Sequence, residues 1–189
     1  MYNKKIVVAV TGASGAIYAK VLLDSLALLV ENPKHVALIF SKVAKEVWQY
    51  ELGNCDYEKY PFSQFEYSDF YAPTASGSSN YEAMIVCPCT MGTMGRIASG
   101  VADDLITRSA DVMLKERRKL ILVARETPFS LIHIENMRLI TLAGGIILPA
   151  NPSFYSKPKT IEEVVKTVTD RVLKIAGFDF PQYHWGEEE

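Results

Sequence analysis

The chain has 189 residues, 49% of them hydrophobic, with a net charge of -2 and three cysteines. That length suits one domain able to bury a core without disulfides or a structural metal. The charge leaves no cationic surplus with which to hold a nucleic-acid backbone or an anionic membrane surface.

Lys4-Lys5 ahead of Ile6–Val10 resembles the start of a signal peptide, but the apolar run breaks after five residues into a Gly/Ser loop. No apolar run approaches the ~20 residues that span a bilayer, so a cytoplasmic protein is expected. Taken in chain order, the predicted elements are a strand at Ile6–Val10, a helix at Ala16–Glu31, a strand at Val36–Phe40 and a helix at Lys42–Leu52. The stretch Asn54–Asn80 has no sustained period and is long for a compact domain, which marks it as a functional or mobile loop. A strand at Ala83–Cys87 and helices at Met91–Ser99 and Asp104–Arg118 follow. Then come a strand at Leu120–Ala124, a helix at Ser130–Ala143, a strand at Ile146–Leu148 and a helix at Ile161–Ala176, opened by a Thr160/Glu163 capping box.

Strands that are apolar throughout, alternating with amphipathic helices, predict an α/β protein. The expected form is a flavodoxin-like or Rossmann-like three-layer fold with a mostly parallel central sheet. Residues 1–176 form the domain and 177–189 a tail, whose Phe178, Phe180, Tyr183 and Trp185 should dock while its acidic end frays. Cys87-Pro88-Cys89 has no second Cys/His pair at zinc spacing, so the cysteines read as buried hydrophobes and no metal is expected.

In open parallel sheets ligands bind beyond the carboxyl ends of the strands. The residues there are Thr11-Gly12-Ala13-Ser14-Gly15-Ala16, Ser41, Pro88-Cys89-Thr90-Met91-Gly92-Thr93 and Arg125-Glu126-Thr127. Small residues that expose backbone N–H groups at a helix start, with hydroxyls beside them, suit a phosphate. A dinucleotide fits less well. Gly12, Ser14 and Ile17 supply one glycine of the three in G-x-G-x-x-G, and Phe40-Ser41 stands where an acid would hold the ribose. Tyr155 and Lys159 mimic the Tyr-x-x-x-Lys pair of short-chain reductases, but Pro158 breaks the helix that would align them. A mononucleotide, FMN, fits best.

On the helix at Asp104–Arg118 the charges Asp104/Arg108 and Asp111/Lys115 are spaced for i,i+4 surface pairing. On the last helix Arg171 falls at the edge of the apolar stripe, where it needs a partner, either a carboxylate or a bound phosphate. His35, His133 and His184 have no triad spacing and read as structural or surface residues.

The segments Gly12–Ala16, Ala72–Ser78, Cys87–Thr90, Ala110–Arg118, Arg125–Pro128, His133–Met137 and Pro152–Tyr155 together resemble the UbiX/Pad1 flavin prenyltransferase family, from about Lys5 to Arg171. The resemblance implies transfer of a dimethylallyl group from dimethylallyl monophosphate to N5 and C6 of reduced FMN, without a metal. The product, prenylated FMN, would serve a UbiD-type decarboxylase. By matching position, Gly12, Ala13, Ser14, Ser41, Thr90, Met91, Gly92, Thr93 and Arg125 are implied FMN contacts. Lys115, Glu126, Tyr155 and Arg171 are the implied prenyl-phosphate site, with Lys115 supplied by a neighbouring subunit of a dodecamer. Ser14, Glu51, Lys115 and Glu126 are the implied catalytic group. Two other readings stand beside this one: a flavin-dependent cysteine decarboxylase of the phosphopantothenoylcysteine type, and a non-catalytic FMN carrier. The first is disfavoured by Pro73–Ser78, which differs from that group's loop.

Overall fold

The computed structural model describes residues 2–180. Six strands form one sheet: β1 (Ile6–Val10), β2 (Val36–Phe40), β3 (Ser63–Glu66), β4 (Ala83–Cys89), β5 (Lys119–Ala124) and β6 (Ile146–Pro149). The order across the sheet is β3-β2-β1-β4-β5-β6, and every pairing is parallel rather than mostly so. This is the doubly wound Rossmann order, in which the chain starts at the centre and reverses direction between β1 and β4.

Alternation along the strands sends Ile6, Val8 and Val10 into one layer and Val7 and Ala9 into the other. The first layer holds α1 (Ala16–Leu29), α2 (Lys42–Leu52) and α6 (Ile161–Ala176). The second holds α3 (Met91–Ala98), α4 (Leu105–Lys115) and α5 (Leu131–Leu142). Helices on both faces explain why β1, β2 and β4 are buried along their whole length. β6 at the edge is only half covered.

Three expectations are corrected here. The long stretch after α2 contains strand β3 and short 3-10 turns, and is ordered into the sheet edge. Its Ser63–Glu66 is a four-residue edge strand with alternating half-buried and exposed positions, too short to announce itself by period. Helix α4 starts one residue later than expected because Asp104 caps it, accepting from Thr107 N at 2.8 Å while Asp104 N donates to Thr107 Oγ1. Its charges therefore pair differently: Asp104 with Arg96, Arg108 with Asp111, and Lys115 with Glu116. At α6, Thr160 accepts from Glu163 N at 3.1 Å, but the Glu163 carboxylate accepts from Lys159 N, so the box is only half closed.

Of the tail, Phe178 is buried edge-on against Tyr2, with ring centroids 5.3 Å apart, and Phe180 packs partly against the core. Tyr2 and Asp179 exchange hydrogen bonds, so the two ends of the described chain are clasped together. Tyr183, His184, Trp185 and the acidic end lie outside the described residues. No helix among the described residues is long and apolar enough to cross a membrane.

Candidate active site

The reversal between β1 and β4 opens a crevice at the carboxyl ends of the strands, and one buried hydroxyl ties its two sides together. Thr11 Oγ1 donates to Pro88 O at 2.7 Å and accepts from Thr90 N at 2.9 Å. Thr90 then caps α3, accepting from Thr93 N at 3.1 Å, and its hydroxyl meets the Thr93 hydroxyl at 3.0 Å. Ser41 caps α2 in the same manner, accepting from Ala44 N. Thr90, Met91, Gly92 and Thr93 thus converge on one helix start facing the crevice, with Gly92 exposed and no atom within 4 Å of where its Cβ would be. The α3 start is a donor set that fits a phosphate.

The start of α1 is different. Gly15, at φ 105°, takes the left-handed turn that sends the chain into the helix. Its N–H and that of Ala16 both donate to the Glu51 carboxylate, at 2.9 and 2.7 Å. The anion at this helix start is therefore a side chain of α2. Burial raises the Glu51 pKa, but the Ser14 hydroxyl, the two backbone N–H groups and nearby Arg125 outweigh it and hold the carboxyl below its usual range. Arg125 is half-buried and donates from Nε to Ser14 O at 2.9 Å, bracing the β1–α1 loop from β5.

Beside Glu51 lies an open cavity of about 580 Å³ lined by Gly12, Ser14, Val43, Glu46, Val47, Tyr50 and Glu51. Its wall of Val43 and Val47 offers an apolar surface against a polar edge, which suits a flat heteroaromatic ring. Ala13, in the same β1–α1 turn, is buried. Sequence reasoning missed Thr11 as a positioning group, and Val43, Val47 and Tyr50 as lining. Thr11 has a signal, a hydroxyl at the last buried position before the Gly-rich turn; the lining residues read as an ordinary helix surface.

The residues assigned to the prenyl phosphate are not brought together within one chain. Glu126 and Tyr155 are exposed on loops at the carboxyl ends of β5 and β6. Helices α4 and α6 run back toward the opposite end of the sheet, so Lys115 lies ~15 Å along α4 from its start and Arg171 a similar distance along α6. Lys115 pairs with Glu116 just before β5 begins, and Ile175, one turn beyond Arg171, accepts from Lys119 Nζ at the first residue of β5. Arg171 is exposed, so the argument that burial demands a partner for it does not hold. Among the described residues no group of three or more His, Cys, Asp or Glu side chains could hold a metal ion. His133 is structural, accepting from Ser130 N at the start of α5.

Comparison with known proteins fits this geometry. The Flavoprotein family profile matches residues 1–173. The flavin prenyltransferase UbiX of Methanocaldococcus jannaschii is 44% identical over 186 residues, covering 96% of this chain and 98% of the relative. The structure of AnUbiX (PadA1) in complex with FMN and dimethylallyl pyrophosphate superposes with a TM-score of 0.86 at 42% identity, covering 98% of this chain and all of that one. A dodecameric FMN-dependent UbiX-like decarboxylase from Escherichia coli O157:H7 superposes at 0.88, with 37% identity, covering 95% of this chain and 98% of that one. Peptidyl-cysteine decarboxylase EpiD, at 18% identity and a TM-score of 0.62, shares the fold alone. The chain belongs to the flavoprotein family, and within it to the UbiX flavin prenyltransferases.

Proposed function

We propose that this protein transfers a dimethylallyl group from dimethylallyl monophosphate to N5 and C6 of reduced FMN, in the cytoplasm, and that the prenylated flavin serves a UbiD-type decarboxylase. The observation that carries this reading is the crevice at the sheet reversal, with the α3 donor set on one side and the apolar wall of α2 on the other. Reduced FMN supplies the nucleophilic ring atoms when bound. The chain's part is to grip and orient. Thr90, Gly92 and Thr93 at the α3 start receive the flavin phosphate, and Ser41 at the α2 start is a further contact; Val43 and Val47 receive the ring. Glu51, kept ionised by the Ser14 hydroxyl and the Gly15 and Ala16 N–H groups, would with Ser14 form a polar pair beside the flavin through which a proton could pass.

The donor phosphate calls for cations and a phenol that stabilise charge on the leaving group. Glu126 and Tyr155 stand at the rim, whereas Lys115 and Arg171 of the same chain stand at its far end. An assembly of copies would supply to the rim a residue that one chain holds at its far end, a reading supported by the dodecameric relative, and we assign this role to Lys115 of a neighbouring copy. The test is mass spectrometry of the flavin after anaerobic incubation of the protein with reduced FMN and either dimethylallyl monophosphate or pyrophosphate. Addition of one C5 unit is expected. Unmodified flavin with both donors would favour an FMN carrier, and decarboxylation of a cysteine substrate would favour the decarboxylase reading.

A further inference from the structure

Residues 150–160 carry Tyr155 from the end of β6 to the start of α6, and none of them is fully buried. Phe154 and Tyr155 are 68% and 65% exposed, so packing does little to fix either ring. The chain around them is nevertheless stiff. Lys157 N donates to Phe154 O at 3.0 Å, with Lys157 at φ 53°, which closes a turn around Tyr155. Pro152 and Pro158 fix φ on either side of that turn. The turn is a small rigid unit, and its place depends on how its two arms are held.

Both arms are held by α6. On the leaving arm Lys159 N donates to the Glu163 carboxylate at 2.6 Å, and on the entering arm Ser153 N donates to Thr167 Oγ1 at 3.1 Å. The Thr167 hydroxyl itself donates to Val164 O at 2.7 Å, one turn back along the helix. That bond commits the hydroxyl proton to the helix and leaves a lone pair for Ser153. Behind the turn lies an open cavity of about 260 Å³, whose lining includes Ser153, Ser156 and Pro158 of the loop and Lys166, Thr167 and Asp170 of α6. Lys166 and Asp170 pair with each other there, so the space is polar and offers little apolar contact that could hold the loop in place of Thr167.

We propose that Thr167 is a positioning residue for the donor phosphate, acting through Tyr155. The inference rests on the donor role proposed above for Tyr155 and adds the group that sets where its phenol stands. Ser153 lies two residues before Tyr155, so a shift of the entering arm is passed to the phenol, whose hold on a phosphate oxygen tolerates little displacement. The flavin phosphate site at the start of α3 shares no element with this joint, so flavin binding should not respond.

Thr167→Val keeps the shape of the side chain and removes the acceptor. Ser153 is exposed, so water can take the freed N–H, and Tm should fall by no more than roughly 2–4 °C. With saturating reduced FMN, the KM of Thr167→Val for dimethylallyl monophosphate should rise at least about fivefold, while its Kd for FMN stays within about twofold of wild type. Thr167→Ser, which keeps the hydroxyl, should behave as wild type. Added to Tyr155→Phe, Thr167→Val should raise KM no further, because both act on the same phenol. A wild-type KM in Thr167→Val, or an effect that adds in full to that of Tyr155→Phe, would overturn the inference, and a wild-type KM in Tyr155→Phe would remove the donor role on which it rests. Trypsin reads the joint without flavin or donor. Cleavage after Lys159 should be at least about fivefold faster in Thr167→Val than in wild type, with Lys157 protected by the proline that follows it. That difference in a protein that adds no C5 unit to FMN would sink the proposed function with the joint intact, whereas equal cleavage rates would sink the joint.

Discussion

At the scale of single residues, Thr11 has the largest consequence for its size. Its hydroxyl joins two loops 77 residues apart and is buried, so Thr11→Val removes a donor and an acceptor at once. The substitution should destabilise the protein by about 1–3 kcal/mol, read by urea unfolding, and should weaken FMN binding by misplacing Thr90. Glu51 makes a pH-dependent contribution. Its folded pKa lies below its unfolded value, so the stabilisation is fully present at neutral pH and fades as the pH falls through the folded value. The gap in thermal stability between wild type and Glu51→Gln should therefore stay constant from about pH 6 to 8, begin to narrow near the unfolded value of about 4.3, and close only once the pH has passed the lower folded value. For the cysteines, burial pushes the Cys89 thiol up to about 12, with Arg96 opposing, and raises Cys87 as well, while Cys55 is exposed. A native protein should show one fast thiol toward a maleimide at pH 8, and three after unfolding. Much of this was legible in the sequence: Gly12, Ser14, Ser41, Thr90, Thr93 and Arg125 follow from asking what stands after each strand. What was not legible is which anion fills which helix start, because Glu51 reaches Gly15 across 36 residues and no local spacing encodes that.

Among the elements, the strands and helices were legible wherever a period ran long enough, as in β1, β4 and α6, all buried on the side the pattern demands. β3 was not, since four residues at an edge, with Phe65 half-buried between exposed neighbours, carry almost no signal and are placed by the neighbour they pair with. The joint between the β1–α1 turn and α2 is tight enough to test. A Cβ on Gly12 would stand 2.4 Å from Val43 Cγ1 and 2.8 Å from Val43 Cβ, both set by the helix that also lines the flavin cavity. Gly12→Ala should thus cost roughly 1–3 kcal/mol in unfolding measurements and push α2 outward. Adding Val43→Ala, which removes Cγ1 but keeps the Cβ at 2.8 Å, should recover only part of that loss in a double-mutant cycle, and Val43→Gly should recover more of the clash at the cost of helix propensity.

For the molecule as a whole, a ligand that bridges the β1 and β4 sides binds only the folded form. At free FMN about 100-fold above its Kd, the gain should be about 2.7 kcal/mol. A chain of this size should respond with a rise in Tm of roughly 5–11 °C, read by differential scanning fluorimetry, whereas NAD should leave Tm unchanged. The central place of β1 bears also on the order in which the protein is made. Ile6 to Ala9 pair with β2 on one side and with Ala83 to Val86 on the other, so the first strand synthesised waits for one some 77 positions later. At translation rates of ~5–20 residues per second, that wait lasts roughly 4–15 s. Until β4 emerges from the ribosome, the nascent half-sheet shows an apolar edge with unpaired backbone groups, the kind of surface that holding chaperones recognise. A stalled chain ending before residue 83 should be sensitive to protease along β1, and one that has cleared β4 should resist it.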